Sequence, residues 1–203
     1  MSEISQAQVE QALDITADTA IRNEKYFSDL DGLAGDGDFG TSLATGFKVI
    51  KAELPQIEGD IGAKLLKLSM LCSKHVGGSS GPIWGTGFMK AGMAAKGKSA
   101  ISLADLSDML GNAIEGIMAR GGAKLGDKTL LDALSPMPEA LKQHASSGDG
   151  KAALAAAADA ADEAIDATRS LVAHRGRASQ VGARSANTPD PGIVAIATIL
   201  QDW

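Results

Sequence analysis

Apolar residues return every third or fourth position through most of this chain, and no run of alternating Val, Ile, Thr or Tyr interrupts them. That periodicity argues against a sheet and predicts an all-α protein, with helices over 4–26, 41–54, 59–76, 86–96, 103–120, 129–145, 151–173 and 192–202. Local signals support several starts. Thr41 and Ser42 follow Gly40, Ser102 stands three residues before Asp105, and Pro191 lies where a first turn tolerates a missing N–H. The stretch from Lys151 to His174 is rich enough in alanine to look low-complexity. Alanine is the best helix former, however, and its small side chain lets neighbouring helices approach, so the stretch reads as a packed helix. With only four Phe, two Trp and one Tyr, the core must be built mostly from Leu, Ile, Val, Met and Ala, as in a bundle of closely packed helices. No Pro/Ser-rich linker divides the 203 residues, and one domain over 1–203 is expected.

Charge and termini exclude several classes of partner. A net charge of −6 without a Lys/Arg cluster argues against nucleic acid or an anionic membrane surface. The first residues lack the basic and apolar regions of a signal peptide, and no apolar run approaches the roughly 18 residues of a membrane span, so a cytoplasmic protein is expected. The one cysteine, Cys72, can form neither an internal disulfide nor a thiolate metal site, and is read as a small core residue.

Glycine and polar residues gather in four connections, 28–40, 77–85, 121–128 and 174–192, and the chemistry is expected there. Two glycine patterns invite misreading. Gly35, Gly37 and Gly40 satisfy the dinucleotide fingerprint, but no buried strand precedes them, and Asp36 and Asp38 would repel a phosphate unless a cation stood between. Residues 92–99 spell a phosphate-loop pattern ending in Lys98 and Ser99, yet the preceding segment reads as a helix running into Gly97 rather than as a strand.

In the first connection Asp31, Asp36 and Asp38 fall within eight residues, interleaved with glycines. Three carboxylates around one point repel each other unless a hard, oxygen-preferring cation such as magnesium relieves them. An EF-hand counted from Asp36 fails, because Phe47 stands where the closing Glu belongs. A solvated acidic turn is the plain alternative. Ser79, Ser80 and Gly81 offer hydroxyls and open N–H groups suited to phosphate oxygens, or form a simple flexible turn. Gly121 and Gly122, followed by Leu130 and Leu131, suit a flat apolar wall for an adenine, or the leucines pack in the core. Any of Arg175, Arg177 and Arg184 could place a guanidinium beside a transferring phosphoryl group, where its fixed charge would stabilise the transition state. Asp190, Pro191 and Gly192 read as a helix-start turn.

Taken together, LDGLAGDGDFGTSLATGF at 30–47, VGGSSGPIWGTGF at 76–88, GGAKLGDKTLLDALSP at 121–136 and HRGRASQVGARSANTPDPG at 174–192 resemble, in order, the signature segments of the L subunit or L domain of dihydroxyacetone kinases. The resemblance implies a barrel of eight antiparallel helices with ADP or ATP held by loops at one end. It implies that Asp31, Asp36 and Asp38 hold two magnesium ions bridging the nucleotide phosphates. Nucleotide contacts are implied at Phe39, Gly40, Thr41, Ser42, Ser79, Ser80, Gly81, Gly121, Gly122, Leu130, Arg177, Asp190, Pro191 and Gly192, with Arg177 in the catalytic role. In such a family the ketose, dihydroxyacetone or a tetrulose, is bound by a separate K subunit, so kinase activity needs a partner chain. The substrate-activating histidine belongs to that chain, while His75, His144 and His174 are expected at the surface or at helix ends. ADP as a coenzyme rephosphorylated by a phosphohistidine protein of the phosphotransferase system is slightly preferred over exchangeable ATP. A magnesium–nucleotide module that regulates a transcription factor stays open, and so does a homodimer. One residue departs from the pattern: phosphotransferase-linked members usually carry His after the second Gly-Asp pair, whereas this chain has Phe39, whose ring can only pack.

Overall fold

The computed structural model describes residues 3–145 and 149–203. Among them are ten α-helices: α1 (Gln6–Arg22), α2 (Glu24–Asp31), α3 (Phe39–Glu53), α4 (Ile61–His75), α5 (Ser80–Ala94), α6 (Leu103–Gly121), α7 (Leu130–Leu134), α8 (Met137–Ala145), α9 (Gly150–Arg169) and α10 (Pro191–Asp202). The all-α expectation holds. The one exception is a pair of two-residue strands, β1 (Ile4–Ser5) and β2 (Ala100–Ile101), which pair antiparallel and are too short to show alternation.

Ten helices replace the expected eight because two of the expected helices are each divided by a break. Asn23 interrupts the first: its side-chain amide and its backbone N–H both turn back to the carbonyl of Thr19, the competition with helical bonding expected of Asn. Pro136 interrupts the other, and α8 restarts beyond it at Met137. Two further boundaries move. The alanine-rich helix stops at Arg169, four residues short of the expected end, and α3 starts two residues early, at Phe39. The largest shift is in α5, which begins at Ser80 rather than 86. Glycines that look like breakers are there for contact. A Cβ on Gly81 would sit 2.3 Å from the Val76 carbonyl oxygen, and one on Gly85 would sit 2.9 Å from that of Ser69, so these glycines let α5 lie directly on α4.

Each of eight helices packs against two others in the series α1, α3, α4, α5, α6, α8, α9, α10 and back to α1. Short α2 lies against α3 and α10, and short α7 against α9 and α10. One end of the molecule is tied by the β1–β2 pair and by the Gly97 N–H donating to Asp60 Oδ2 at 3.0 Å, which brings together the starts of α1, α4 and α6 and the end of α5. Phe27, Leu43, Phe47, Ile50, Leu68 and Ile193 are fully buried in the core. Along α9 the buried positions are Ala153, Ala157, Ala158, Ala161, Ala164 and Thr168. Helices from both halves of the chain line a partly open apolar cavity of about 740 Å³, bordered by Leu13, Trp84, Phe88, Met109, Leu141 and Leu154. Cys72 is fully buried on α4, and that burial pushes its thiol up to about 12. No helix among the described residues is long and apolar enough to cross a membrane.

Candidate functional site

At the other end of the molecule α2 runs out at Asp31, and Gly35 donates back to the Asp31 carbonyl. Gly37 adopts φ 76°, the left-handed region that favours glycine, and the chain turns into α3. This short path brings one carboxylate oxygen each from Asp31, Asp36 and Asp38 within 4.8 Å of one another. Asp31 is half-buried and the other two are exposed. Desolvation, followed by the charges of Asp36 and Asp31, raises the Asp38 carboxyl above its ordinary range, and Arg177 partly offsets the effect. The cluster is held by directed bonds. The Phe39 N–H donates to Asp31 Oδ2 at 3.3 Å, and Arg177 Nε donates to Asp36 Oδ2 at 2.9 Å. A Cβ on Gly35 would fall 2.2 Å from Asp31 Oδ1, so only glycine leaves that carboxylate its position. An all-oxygen set of three mutually repelling carboxylates fits a hard divalent cation.

The other sequence segments converge on this loop. Ser28 Oγ accepts the Thr41 N–H at 3.2 Å, and Gly40 packs so tightly on α2 that a Cβ would lie 2.0 Å from the Glu24 carbonyl oxygen. Ser42 abuts Gly77, placing the turn with Ser79 beside the start of α3. Ser79 precedes α5 while Ser80 and Gly81 lie in its first turn, so the serine-glycine segment is a helix start rather than a free loop. Gly121 faces Ile83 of α5, and Gly122, at φ 61°, lies against the Arg175 guanidinium. Gly192 contacts Leu130, and a small cavity lined by Leu30, Asp31, Gly35, Lys128, Asp190 and Pro191 joins the first segment to the last. Asp190 caps α10 through the Ile193 N–H at 2.9 Å. Burial pushes its carboxyl up to about 6, against the N–H groups of Ile193 and Gly192 and the Lys128 charge, which pull it down.

Several expectations separate here. Of the two leucines, Leu131 is fully buried in the core, leaving only half-buried Leu130 for an apolar wall. Of the three arginines, Arg177 reaches the acidic loop, whereas Arg175 bonds Asp127 and the Gly122 carbonyl and so ties two loops together. Arg184 lies in the 3-10 segment Arg177–Ser185 and is exposed. Phe39 packs as expected, its ring centroid 6.3 Å from that of Phe27. The phosphate-loop look-alike lies at the far end of α5, where Lys98 bonds Asp105 Oδ1 at 3.0 Å. His75 ends α4, His144 lies near the end of α8, and His174 is exposed in a loop.

Four residues that organise the site escaped sequence reasoning: Ser28, Asp127, Lys128 and Asp132. For one of them the signal was present, because Thr129 and Asp132 form a capping box, with the Asp132 carboxylate also accepting the Gly126 N–H. Lys128 is 2% exposed, adopts φ 63°, and donates to the carbonyls of Arg169, Leu171 and Ser185 at 3.0, 2.9 and 2.7 Å. Burial holds its ammonium below the usual lysine range.

Fold and site together define an all-helical protein that presents an acidic loop, suited to a hard cation, beside helix starts and an arginine. Comparison with known proteins narrows that class. The chain belongs to the DAK2 domain family, whose model matches residues 33–203. It is 34% identical over 200 residues to the ADP-binding subunit DhaL of the PEP-dependent dihydroxyacetone kinase of Escherichia coli (strain K12), covering 98% of this chain and 95% of that one. It is 35% identical over 174 residues to the ADP-binding subunit DhaL of PEP-dependent dihydroxyacetone kinase 2 of Listeria innocua, covering 84% and 81%. The crystal structure of the dihydroxyacetone kinase from C. freundii in complex with AMP-PNP and Mg2+ shares the fold, with a TM-score of 0.73 and 24% identity over 97% of this chain and 33% of that one.

Proposed function

We propose that this chain is the nucleotide-carrying L subunit of a dihydroxyacetone-type kinase, delivering a phosphoryl group to a small ketose on a separate K subunit. The observation that carries this is the cluster of Asp31, Asp36 and Asp38 within 4.8 Å, reached by Arg177, in a chain covering almost the whole of an ADP-binding DhaL subunit. The three aspartates would hold two magnesium ions, which when bound supply charge neutralisation for ADP or ATP phosphates. The N–H groups of Gly40, at the start of α3, and of Ser80 and Gly81, at the start of α5, with the hydroxyls of Thr41, Ser42 and Ser79, bind and orient phosphate oxygens. Gly121, Gly122 and Leu130 form the surface against which the base packs, and Asp190, Pro191 and Gly192 close the site from the last segment. Arg177 places its guanidinium beside the transferring group, where a fixed positive charge favours the transition state over the ground state.

The nucleotide serves as an ADP coenzyme, rephosphorylated by a phosphohistidine protein of the phosphotransferase system. PEP dependence in the names of the two DhaL relatives favours this route over exchangeable ATP, even with Phe39 at the departing position. The protein acts in the cytoplasm as one domain. The closed series of helix neighbours, with starts and ends alternating between the two ends of the molecule, supports a barrel of eight antiparallel helices, with α2 and α7 as accessory turns.

Reconstitution tests the reading. The purified chain is denatured and its supernatant assayed for nucleotide, and the native chain is mixed with a K subunit, dihydroxyacetone and either the phosphorylated carrier or ATP. Retained ADP with carrier-dependent transfer is expected. Nucleotide-free protein that exchanges ADP faster than turnover, and that works with ATP and a K subunit alone, would refute the coenzyme route. Sedimentation separates a monomer from a homodimer.

A further inference from the structure

Residues 170–188 leave the end of α9, carry Arg177 to the acidic loop and return to α10. The neck of this excursion is closed by the Asn187 N–H donating to the Arg169 carbonyl at 2.8 Å and by the Ala173 N–H donating to Ser185 Oγ at 2.9 Å. Into that neck, from a different connection, comes the side chain of Lys128. We propose that Lys128 is the positioning residue of the Arg177 loop: its buried ammonium bonds the carbonyls of Arg169 and Leu171 on the outgoing strand of the neck and of Ser185 on the returning one.

A lysine ammonium has three N–H donors and no acceptor. All three are spent on these carbonyls, so Lys128 lines the cavity beside Asp31 and Asp190 without a proton left to offer a phosphate. Its effect on transfer therefore passes through the loop it ties. The backbone at Lys128 is held at φ 63°, a left-handed conformation that costs a non-glycine residue energy and that directs this side chain into the neck. Its neighbour adds a second tie. Asp127 accepts the His174 N–H on its carbonyl at 3.0 Å and Arg175 Nε on its carboxylate at 3.2 Å, fixing the loop three and two residues before Arg177. The connection 121–129 thus holds the arginine segment at both its entrance and its neck, and the position of Arg177 depends on it.

The proposal rests on the role assigned above to Arg177, so it is tested by two independent readouts. In Lys128→Met, amides of residues 172–187 should exchange with solvent at least about tenfold faster while those of α4 and α5 stay unchanged. With a K subunit, kcat should fall at least about tenfold while the KM for nucleotide moves less than about threefold. In an Arg177→Ala background the same substitution should lower kcat less than about threefold further, because the group it positions is gone. Unchanged exchange in the loop, or a kcat loss that multiplies in full onto that of Arg177→Ala, overturns the proposal. If Lys128→Met does not fold, Lys128→Gln, which keeps two N–H donors, carries the same test with smaller shifts in the same directions. An inactive wild-type pair would count against the kinase reading, and the exchange measurement would still decide the tie.

Discussion

Replacing Asp38 by Asn separates the folding cost of the acidic loop from its use. Asp38 faces carboxylate oxygens of Asp31 and Asp36 within 4.8 Å. At that distance two unit charges repel by about 0.9 kcal/mol even at the dielectric constant of water. Two such pairs, partly offset by Arg177, leave a net penalty on the order of 1 kcal/mol, further reduced by salt. Asn keeps the size of the side chain and is a good residue before a helix, so α3 should start as before. In EDTA at neutral pH the variant should therefore melt about 2–4 °C above the wild type. In saturating magnesium and ADP the order should reverse. A ligand at a hundred times its Kd stabilises the wild type by about 2.7 kcal/mol, and the variant should gain little of this. The sign with pH follows from the raised carboxyl of folded Asp38, which takes up its proton before the unfolded chain does. The penalty is thus fully present at neutral pH and vanishes as pH falls through the raised value, so the advantage of the variant in EDTA should shrink in acid. Calorimetric melts in the two buffers are the assay. A variant less stable than the wild type in EDTA, or one stabilised by magnesium and ADP as strongly as the wild type, would refute the reasoning.

Lys98→Ala should leave ADP affinity within about threefold, a shift under roughly 0.7 kcal/mol by titration calorimetry, because Lys98 pairs with Asp105 at the opposite end of α5 from Ser80. Gly40→Ala should cost about 1–3 kcal/mol or more in urea melts and weaken ADP binding, since its Cβ would drive into backbone atoms of Glu24 and Ser28 and displace the helix that carries Asp31. Asp190→Asn should keep the cap on α10 and change the pH profile of stability. The wild type gains stability as pH falls through about 6 toward the ordinary carboxylate value, and the variant should lose that gain when urea midpoints are compared across the range.

Periodicity was enough to read the helical class, and glycine content located the four connections, because both signals are local. The acidic loop was legible for the same reason, its three aspartates lying within eight residues of chain. What escaped reading depended on contacts between distant segments. The glycine-rich stretch 77–85 reads as a connection, yet α5 starts inside it, because Gly81 and Gly85 serve close approach to α4. Pro136 divides α7 from α8 although the apolar periodicity runs on through it. Leu130 and Leu131 are neighbours whose fates differ only through what packs beside them. Lys128 was the hardest case, since its acceptors lie 41, 43 and 57 residues further along the chain. Arg177 was singled out from Arg175 and Arg184 by family resemblance, and the ion pair with Asp36 supplies a physical reason for the choice.

The single sulfhydryl of Cys72 has a consequence for kinetics. A thiol that is fully buried and pushed up to about 12 presents almost no thiolate to an alkylating reagent while the helices stay closed. Labelling must wait for α4 to open, and α4 leads through Val76 directly to the turn beside Ser42 and Ser79. When reclosing outpaces alkylation, the modification rate counts the fraction of molecules open at any moment. The native chain therefore carries its own opening clock, one that magnesium and ADP should slow if they bind the closed form.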